Sequence, residues 1–278
     1  MFFDTHCHIY LTKSKSENEL LNEIKGKWNL KITNIWVDLD TSKHIISLLE
    51  LYDFMYWSVW IHPCDIVKYD DLDSVIYELE ELSKNKKIVA IWECWLDYYR
   101  LEKDICELLE KDTTNSKSFD FLLNDWKNSQ KKWFLKQITL AKKLNLPLII
   151  HNRWARDDIF EILKKSDFKN FVMHCYSEDY DFAMKLINFS PDCKISFSWI
   201  VTFKNAKEVQ ETALKIPLKN ILIETDAPYL APVPFRWKEN FPFLVENVFE
   251  KICELRSEKR EKILEQIYEN SLKFFNLN

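Results

Sequence analysis

Residues 88–99 have the sequence IVAIWECWLDYY. The apolar run at 88–91 is typical of a buried strand. The acid Glu93 follows this run, at the end of a strand where barrel enzymes keep their catalytic groups. Trp92 and Trp95 flank the acid, and two indoles beside a working carboxylate would crowd a site that must admit a substrate. Glu93 is therefore a candidate site residue in surroundings that conflict with such a role.

Similar apolar segments recur along the chain with helical patterns between them. The predicted strands span 2–6, 32–39, 54–61, 87–92, 146–150, 171–173, 194–197 and 221–223. Helices are expected between the strands, one of them from about 129 to 144, and from 243 onward. Eight strands alternating with helices, without internal repeats or a linker, predict a single (β/α)8 TIM barrel domain over residues 1–278. The charged stretch 101–128 is predicted to be an inserted excursion from the barrel with no assigned chemistry.

Composition narrows the class of protein. Of 278 residues, 47% are hydrophobic and 15% aromatic, which supplies a sizeable core and argues against disorder. A net charge of −5 argues against a non-specific nucleic-acid coat, but it is compatible with a nuclease whose bound metals provide positive charge. Seven cysteines without a regular spacing, and no signal-peptide pattern, predict reduced thiols and a cytoplasmic enzyme. No apolar run approaches the roughly 20 residues that span a bilayer, so no membrane partner is expected.

Five of the six histidines come directly after a predicted strand, namely His6, His8, His62, His151 and His174. A structural role is the commoner one for any single histidine, but five at one rim are hard to obtain that way. Residues i and i+2 of an extended segment point to the same side, so His6 and His8 can bind one metal ion. Glu93 and Asp226 follow strands four and eight. Imidazoles with carboxylates suit Zn²⁺, Mn²⁺ or similar ions, and a carboxylate between two ions can bridge them.

Arg153 follows His151 by two residues and is expected at the same mouth. There it pairs with an anionic group of a substrate or forms a salt bridge at the rim, and the sequence does not decide between the two. For Cys7, Cys94 and Cys175, each next to a candidate ligand, a small buried hydrophobic side chain is the favoured interpretation.

Together these motifs resemble the TatD family of metal-dependent hydrolases. The matching segments are DTHCH at 4–8, IHP at 61–63, Glu93 with LDYY at 96–99, HNR at 151–153, HCYS at 174–177 and ETDAPYLAP at 224–232. The resemblance implies a TIM barrel with two divalent ions (Zn, Mn or Mg) and a deoxyribonuclease of the 3′→5′ exonuclease type. Its expected partner is DNA, single-stranded or at an end.

The same resemblance implies roles for individual residues. The metal ligands would be His6, His8, Glu93, His151, His174 and Asp226. Glu93 would bridge the two ions and Asp226 would act as the general base, while His62 and Arg153 would lie near the scissile phosphate. An alternative keeps this site but assigns it to small amides, esters or aminoacyl-tRNA esters. A second alternative is an inactive barrel that only binds a partner, if the tryptophans block the site.

The tryptophans form a pattern of their own. The chain has one glycine and eleven tryptophans, whereas glycine averages about 7% of residues. The family has glycine where this chain has Trp36, Trp60, Trp92, Trp95, Trp199 and Trp237. One codon, UGA, connects the two residues, because some genetic codes translate it as tryptophan and others as glycine. We therefore predict that the native protein carries glycine at most of these positions, since overpacking typically costs about 1–3 kcal/mol per site.

Overall fold

The computed structural model describes residues 1–27, 29–35, 51–59, 72–111 and 117–277, and for 59, 72, 73 and 92–95 it describes the backbone alone. Eight strands in this part of the chain form one parallel sheet in sequential order. They are β1 (Phe2–Cys7), β2 (Leu30–Ile35), β3 (Met55–Val59), β4 (Ile88–Asp97), β5 (Leu148–Arg153), β6 (Phe171–Met173), β7 (Lys194–Phe197) and β8 (Ile221–Ile223). The predicted (β/α)8 barrel is confirmed.

Helices connect the strands and surround the sheet. The described α-helices are α1 (Glu17–Gly26), α2 (Leu72–Leu82), α3 (Tyr98–Lys111), α4 (Phe119–Leu144), α5 (Arg156–Ser166), α6 (Tyr180–Phe189), α7 (Lys207–Lys215), α8 (Val245–Leu255) and α9 (Arg260–Phe274). Their boundaries follow local chemistry. Ser16 and Glu19 form a reciprocal capping box at the start of α1, which satisfies backbone N–H groups that have no partner inside a helix. No helix among the described residues has the length and apolar character needed to cross a bilayer.

The segment after β8 meets β1 and brings the two ends of the sheet together. The N–H of Asp226 donates to the carbonyl of His6 at 2.9 Å, and the N–H of His8 donates to the carbonyl of Ala227 at 2.6 Å. Cys7 and Ala227 form a parallel bridge between the same segments. Two residues with candidate roles, His6 and Asp226, are thereby held side by side although they are far apart in the sequence.

Two apolar layers fill the structure. The larger lies between the sheet and the helices and contains, for example, the Phe2 ring against the Phe249 ring of α8. The smaller draws on six strands and the end of the chain, through Phe3, Ile35, Val89, Ala90, Ile149, Val172, Leu222, Phe274 and Phe275. Side chains from six strands of a closed sheet meet only in its interior, so this second cluster fills the lower part of the barrel.

Strand alternation links this inner layer to the upper mouth of the barrel. Residues two positions apart share a face, so the face that carries Ile149 in β5 also carries His151. In the same way Val172 precedes His174, and Leu222 precedes Glu224. The apolar floor and the polar mouth are thus successive layers of the same inward-facing positions.

Irregular pairing occurs where two candidate ligand segments lie. Between β1 and β2 the register shifts between Asp4 and Cys7, a stretch that contains His6. Between β4 and β5 it shifts between Ile91 and Cys94, a stretch that contains Glu93. An extra residue in a strand bends it and redirects a side chain, and such bulges are common beside active sites.

The structure differs from the sequence prediction in several elements. Strand β4 continues to Asp97, five residues beyond the predicted end, because its outer half pairs with β5 as far as Arg153. The excursion at 101–128 is largely helical, formed by α3 and the first part of α4. Helix α4 begins about ten residues before the predicted start, where Ser118 accepts a hydrogen bond from the N–H of Phe121. The C-terminal region contains two helices, α8 and α9, with a break between them.

Candidate metal centre

One group of possible ligands joins the end of β1 to the loop after β8. The Nε2 atoms of His6 and His8 lie 3.3 Å apart. Each is 3.5 Å from the same carboxylate oxygen, Oδ1 of Asp226. Both imidazoles are buried, and the Asp226 side chain is largely so. We call these three residues the first cluster.

A second pair of histidines comes from the ends of β5 and β6. Nδ1 of His151 lies 3.2 Å from Nε2 of His174, and this pair is named the second cluster. The His174 ring stacks on the His6 ring, with centroids 4.0 Å apart and planes 7° apart. The two clusters therefore adjoin at the mouth of the barrel.

The spacing of these donor atoms fits bound metal ions. Ligand nitrogens and oxygens lie about 2.0–2.2 Å from a zinc ion in tetrahedral sites, which places them about 3.4 Å from one another. The distances in both clusters are of this size. Imidazole nitrogens with a carboxylate form a donor set suited to zinc or manganese. The chemistry and geometry of the described residues thus suit divalent cations.

His6 has the protonation state that binding of a metal ion requires. Burial lowers the pKa of His6 well below its ordinary value, and the neighbouring histidines lower it further. His6 is therefore neutral at physiological pH and can offer a nitrogen lone pair. Burial has the opposite effect on the Cys7 thiol, whose pKa is raised well above the ordinary value. Cys7 remains an inert buried thiol, with its Sγ 3.5 Å from the carbonyl of Thr33.

A buried acid, Asp4, fixes the turn that carries Asp226. Its Oδ1 accepts a hydrogen bond from the N–H of Thr225 at 2.8 Å, and its Oδ2 accepts one from Thr225 Oγ1 at 2.6 Å. Burial raises the pKa of Asp4 well above its usual value, and the hydrogen bonds from Thr225 oppose that rise. Asp226 itself has a left-handed backbone, with φ of 55°. The turn is held from both sides, so the ligand carboxylate has a defined direction.

Two further carboxylates stand behind the second cluster, and the sequence prediction assigned neither a role. Oε1 of Glu224 lies 3.3 Å from Nδ1 of His174. Oδ2 of Asp97 lies 3.7 Å from Nε2 of His151. Burial raises the pKa of Asp97, but the contacts with His151 and the N–H of Arg100 outweigh it, and the net pKa lies below its ordinary value. The position of Glu224 directly after the predicted strand 221–223 was a sequence signal, because residues at the carboxyl ends of barrel strands lie at the mouth.

Arg153 lies at the exposed rim, at the end of β5. Its guanidinium sits 3.8 Å from the centroid of the Tyr99 ring, and the Trp154 ring makes a T-shaped contact with the same ring. Stacking of this kind leaves the N–H groups at the edge of a guanidinium directed outward, where they can bind an anion. The structure places Arg153 at the carboxyl end of β5, and its contact with a substrate phosphate stays a prediction.

Two predicted site residues cannot be placed among these groups. His62 lies outside the described residues. For Glu93 the backbone lies within β4, at the register shift described above, and its side chain lies outside the described part. The structure therefore brings together His6, His8 and Asp226, and separately His151 and His174. The bridging role of Glu93 and the substrate role of His62 stay predictions.

The whole chain is similar to a known protein family and to several of its members. A family model described as TatD related DNase matches residues 3–276. The chain belongs to the TatD family. An uncharacterized metal-dependent hydrolase of Bacillus subtilis, YabD, is 34% identical over 283 residues, with 100% of both chains covered. A second one, YcfH of Escherichia coli, is 30% identical and covers 99% of this chain and 96% of its own.

Solved structures agree with the fold of this TatD protein. The crystal structure of YJJV, a TatD homolog from Escherichia coli, has a TM-score of 0.81 at 25% identity and covers 100% of this chain and 98% of that one. A TatD family hydrolase from Entamoeba histolytica has a TM-score of 0.74 at 18% identity, covering 99% and 97%, which supports the fold alone. The TatD protein described here is accordingly a metal-dependent hydrolase with a TIM-barrel fold. Its described groups of candidate metal-binding residues are His6, His8 and Asp226, and His6, His174 and Glu224.

Proposed function

We propose that this TatD protein is a deoxyribonuclease that removes nucleotides from the 3′ end of single-stranded DNA. The observation that carries the proposal is the pair of adjoining clusters, in which His6 stacks on His174 and places two sets of ligand atoms side by side. Two metals about 3.5–4 Å apart are the common arrangement for in-line cleavage of phosphodiesters. The description of the family as related to DNases supports the same substrate.

The residues of the site would have different roles in the hydrolysis. When bound, two divalent ions supply Lewis acidity, which lowers the pKa of an attacking water and polarises a phosphoryl oxygen. Asp226 orients that water and accepts its proton as general base. Glu93 would lie between the clusters as a shared ligand. Attack of the water on phosphorus breaks one phosphorus–oxygen ester bond and yields a phosphate monoester and an alcohol.

Binding and positioning of the phosphate fall to the rim. Arg153 would pair with the non-bridging oxygens next to the scissile bond and stabilise the charge that develops there. His62 would act with it. The chain carries a net charge of −5. DNA would therefore be bound by cationic groups at the site and not by a broad basic surface. The seven cysteines have no regular spacing, and we place the enzyme in the cytoplasm, where thiols remain reduced.

The test is hydrolysis of single-stranded DNA labelled at its 5′ end, with Mg²⁺, Mn²⁺ or Zn²⁺ added to the chelator-treated protein. A ladder that shortens from the 3′ end is expected. Asp226→Asn and Glu93→Gln should each abolish cleavage without loss of folded protein. The matched control is Asp167→Asn, because Asp167 has an exposed side chain and a left-handed φ of 48° that asparagine also tolerates.

The substrate class has its own decisive outcome. Cleavage of small esters, amides or aminoacyl-tRNA by the same preparation, with labelled DNA left intact, would transfer the site to the alternative substrates. Undiminished nuclease activity in Asp226→Asn would instead remove the residue assignment. Activity of the control variant must equal that of the wild type for either comparison to count.

A further inference from the structure

Each histidine of the second cluster has a carboxylate at the ring nitrogen that points away from the cluster. His174 directs Nε2 toward His151 and Nδ1 toward Glu224, at 3.2 and 3.3 Å. His151 directs Nδ1 toward His174, and its Nε2 lies 3.7 Å from Asp97. The two imidazoles thus use opposite nitrogens for the cluster, and each has its own acid behind it.

Glu224 is held firmly in this position. It is 1% exposed, its Oε1 accepts a hydrogen bond from the N–H of Cys175 at 2.6 Å, and its Oε2 accepts one from Ser196 Oγ at 2.6 Å. The N–H of Cys175 reaches Glu224 from a backbone with φ of 45°, a strained conformation for this residue. Both oxygens of Glu224 are engaged by protein donors, so it acts from behind His174, although it lies close enough to His6 and His174 to be considered a ligand itself.

Asp97 is fixed by the start of a helix. Its side chain is 5% exposed, and its Oδ1 accepts a hydrogen bond from the N–H of Arg100 at 2.8 Å in the first turn of α3. The second oxygen faces His151. A carboxylate tied to a helix start in this way has little freedom to turn away from the imidazole.

The two clusters differ in where their described carboxylates lie. The first includes a carboxylate of its own, Asp226. The described carboxylates beside the second cluster, Glu224 and Asp97, lie behind the outer ring nitrogens of its histidines. We infer that Glu224 and Asp97 are positioning residues that set the proton of each histidine on its outer nitrogen and so leave the inner nitrogens of the second cluster able to bind a metal ion.

The physical effect is on tautomer and orientation. A neutral imidazole carries one proton, and only its unprotonated nitrogen can bind a metal. A carboxylate that accepts a hydrogen bond from Nδ1 of His174 leaves Nε2 unprotonated and facing the cluster. The Asp97 carboxylate, 3.7 Å from Nε2 of His151, favours the reverse tautomer there through its negative charge. Outer carboxylates of this kind also make the imidazole a stronger ligand, and their loss typically weakens metal binding about 10–100-fold.

The experiment is a metal titration of the full-length protein by calorimetry, with stoichiometry from elemental analysis. For Glu224→Gln and Asp97→Asn we expect one ion bound as in the wild type and the other bound about 10–100-fold more weakly. Asp226→Asn should weaken the opposite ion. The d–d absorption of bound Co²⁺ provides a second readout, because the change in ligand orientation should alter the spectrum of one ion only.

Matched variants separate an effect on metal binding from an effect on folding. Glu224→Gln preserves the shape of the side chain and an acceptor oxygen. Its affinity for the metal ion should therefore fall less than that of Glu224→Ala. Glu258→Gln is the matched control, since Glu258 pairs with Arg256 away from both clusters and should titrate like the wild type. Thermal melting of the metal-free proteins identifies any variant that does not fold, and Glu224→Gln and Asp97→Asn then decide the question.

Wild-type affinity for both ions in Glu224→Gln and Asp97→Asn would overturn the inference, and so would an equal loss at both ions. The inference rests on the metal centre of the proposed function, but not on DNA as its substrate. A wild-type protein that binds two ions yet leaves DNA intact removes the proposed nuclease and keeps this inference testable. A wild-type protein that binds no divalent ion overturns both.

Discussion

Three residues with left-handed backbones stand at the mouth of the barrel. They are Trp154, Cys175 and Asp226, with φ of 62°, 45° and 55°. Each is a ligand candidate or directly follows a residue of the site. A residue with a Cβ atom pays about 1–2 kcal/mol for this conformation, and such strain concentrates where function requires a particular geometry. For Cys175 and Asp226 the conformation serves hydrogen bonds of the site.

Among the described residues, no hydrogen bond of the site requires the left-handed backbone of Trp154. Glycine suits this backbone conformation better. The side chain of Trp154 is 63% exposed, so little burial is lost on removing it. We expect Trp154→Gly to raise the free energy of unfolding by about 1 kcal/mol, the relieved strain less the higher entropy of unfolded glycine. Urea denaturation measures this. Trp237→Gly is the control, because Trp237 is 87% exposed without a left-handed φ, and an equal gain there would contradict the strain argument.

Four other tryptophans separate into two groups by their surroundings. Trp57 and Trp133 are buried in the core between sheet and helices. Trp199, at a predicted glycine position, buries its indole Nε1 without a hydrogen-bond partner among the described residues, and an unsatisfied buried donor costs about 1–3 kcal/mol. Trp237 contributes almost nothing to the core. The burial pattern agrees with glycine at 199 and 237 and tryptophan at 57 and 133.

The identity of these residues in the cell can be measured directly. Trypsin releases residues 88–100, which contain Trp92, Glu93 and Trp95, and residues 195–204, which contain Trp199. In protein purified from its native source, we expect mass spectrometry to find glycine at all three tryptophan positions. Tryptophan in the 88–100 peptide would contradict the codon hypothesis. It would also leave Glu93 between two indoles and favour the binding-protein alternative.

The sequence predicted the candidate ligands better than it predicted their support. His6, His8, His151, His174 and Asp226 follow strands, and parallel strands of a barrel end at one mouth, so their proximity follows from the chain order. Which acid faces which ring depends on tertiary distances. The contact between Glu224 and His174 spans 50 positions. It also needs the left-handed turn at Cys175. The sequence does not predict this turn, because the position holds neither glycine nor asparagine, the residues that favour it.

At the scale of elements, the segment after β4 was the least predictable. The apolar run that predicts the strand ends at 91, while the strand continues by pairing its backbone with β5. Backbone pairing leaves no periodic pattern in the sequence when the side chains there serve the site. Helix α3 and the first part of α4 were hidden by their high charge, although Ser118 at the start of α4 is a common helix cap.

The helical pair α3 and α4 should be an integral part of the fold. Ile105 is fully buried although it lies in the segment predicted as an excursion. We expect Ile105→Ala to lower the free energy of unfolding by about 2–5 kcal/mol, the usual cost of a cavity in a packed core. Phe121→Ala, at a side chain that is 53% exposed, should change it by less than about 0.5 kcal/mol. Equal, small effects in urea denaturation would mean that the pair packs loosely on the barrel.

Strand β7 begins with a buried cation whose effect depends on pH. Burial lowers the pKa of Lys194, and its Nζ donates to the carbonyl of Asp192 at 2.8 Å. Between the folded-state pKa and the ordinary value near 10.4, the unfolded chain binds more protons than the folded one, so stability rises with pH. The unfolding free energy of the wild type minus that of Lys194→Met should therefore increase from about pH 7 to about pH 10. A difference that does not change with pH would exclude this contribution.

At the scale of the whole molecule, the alternation of eight strands with helices was sufficient to predict the barrel, but its closure was not visible in the sequence. Closure depends on contacts between residues more than two hundred positions apart, such as Asp4 with Thr225. These contacts use polar groups, and hydrophobic periodicity does not detect them. The same is true of the floor of the barrel, which the end of the chain supplies.

Phe275 closes the barrel from below, just after α9. It is 2% exposed, its ring centroid lies 5.5 Å from that of Phe3 in β1, and it belongs to the inner cluster formed by six strands. Truncation of a buried phenylalanine costs about 3–5 kcal/mol, so Phe275→Ala should lower the urea midpoint strongly.

The inner apolar layer lies below the ligand layer on the same strands, as Ile149 below His151 illustrates. Loss of Phe275 should therefore destabilise the whole domain without selecting one metal cluster. We expect Phe275→Ala, measured below its melting temperature, to bind two ions with an unchanged ratio of affinities, in contrast to Glu224→Gln. A selective loss of one ion would mean that the chain terminus controls the site through a single strand. A change in stability below about 1 kcal/mol would mean that the ring does not fill the barrel.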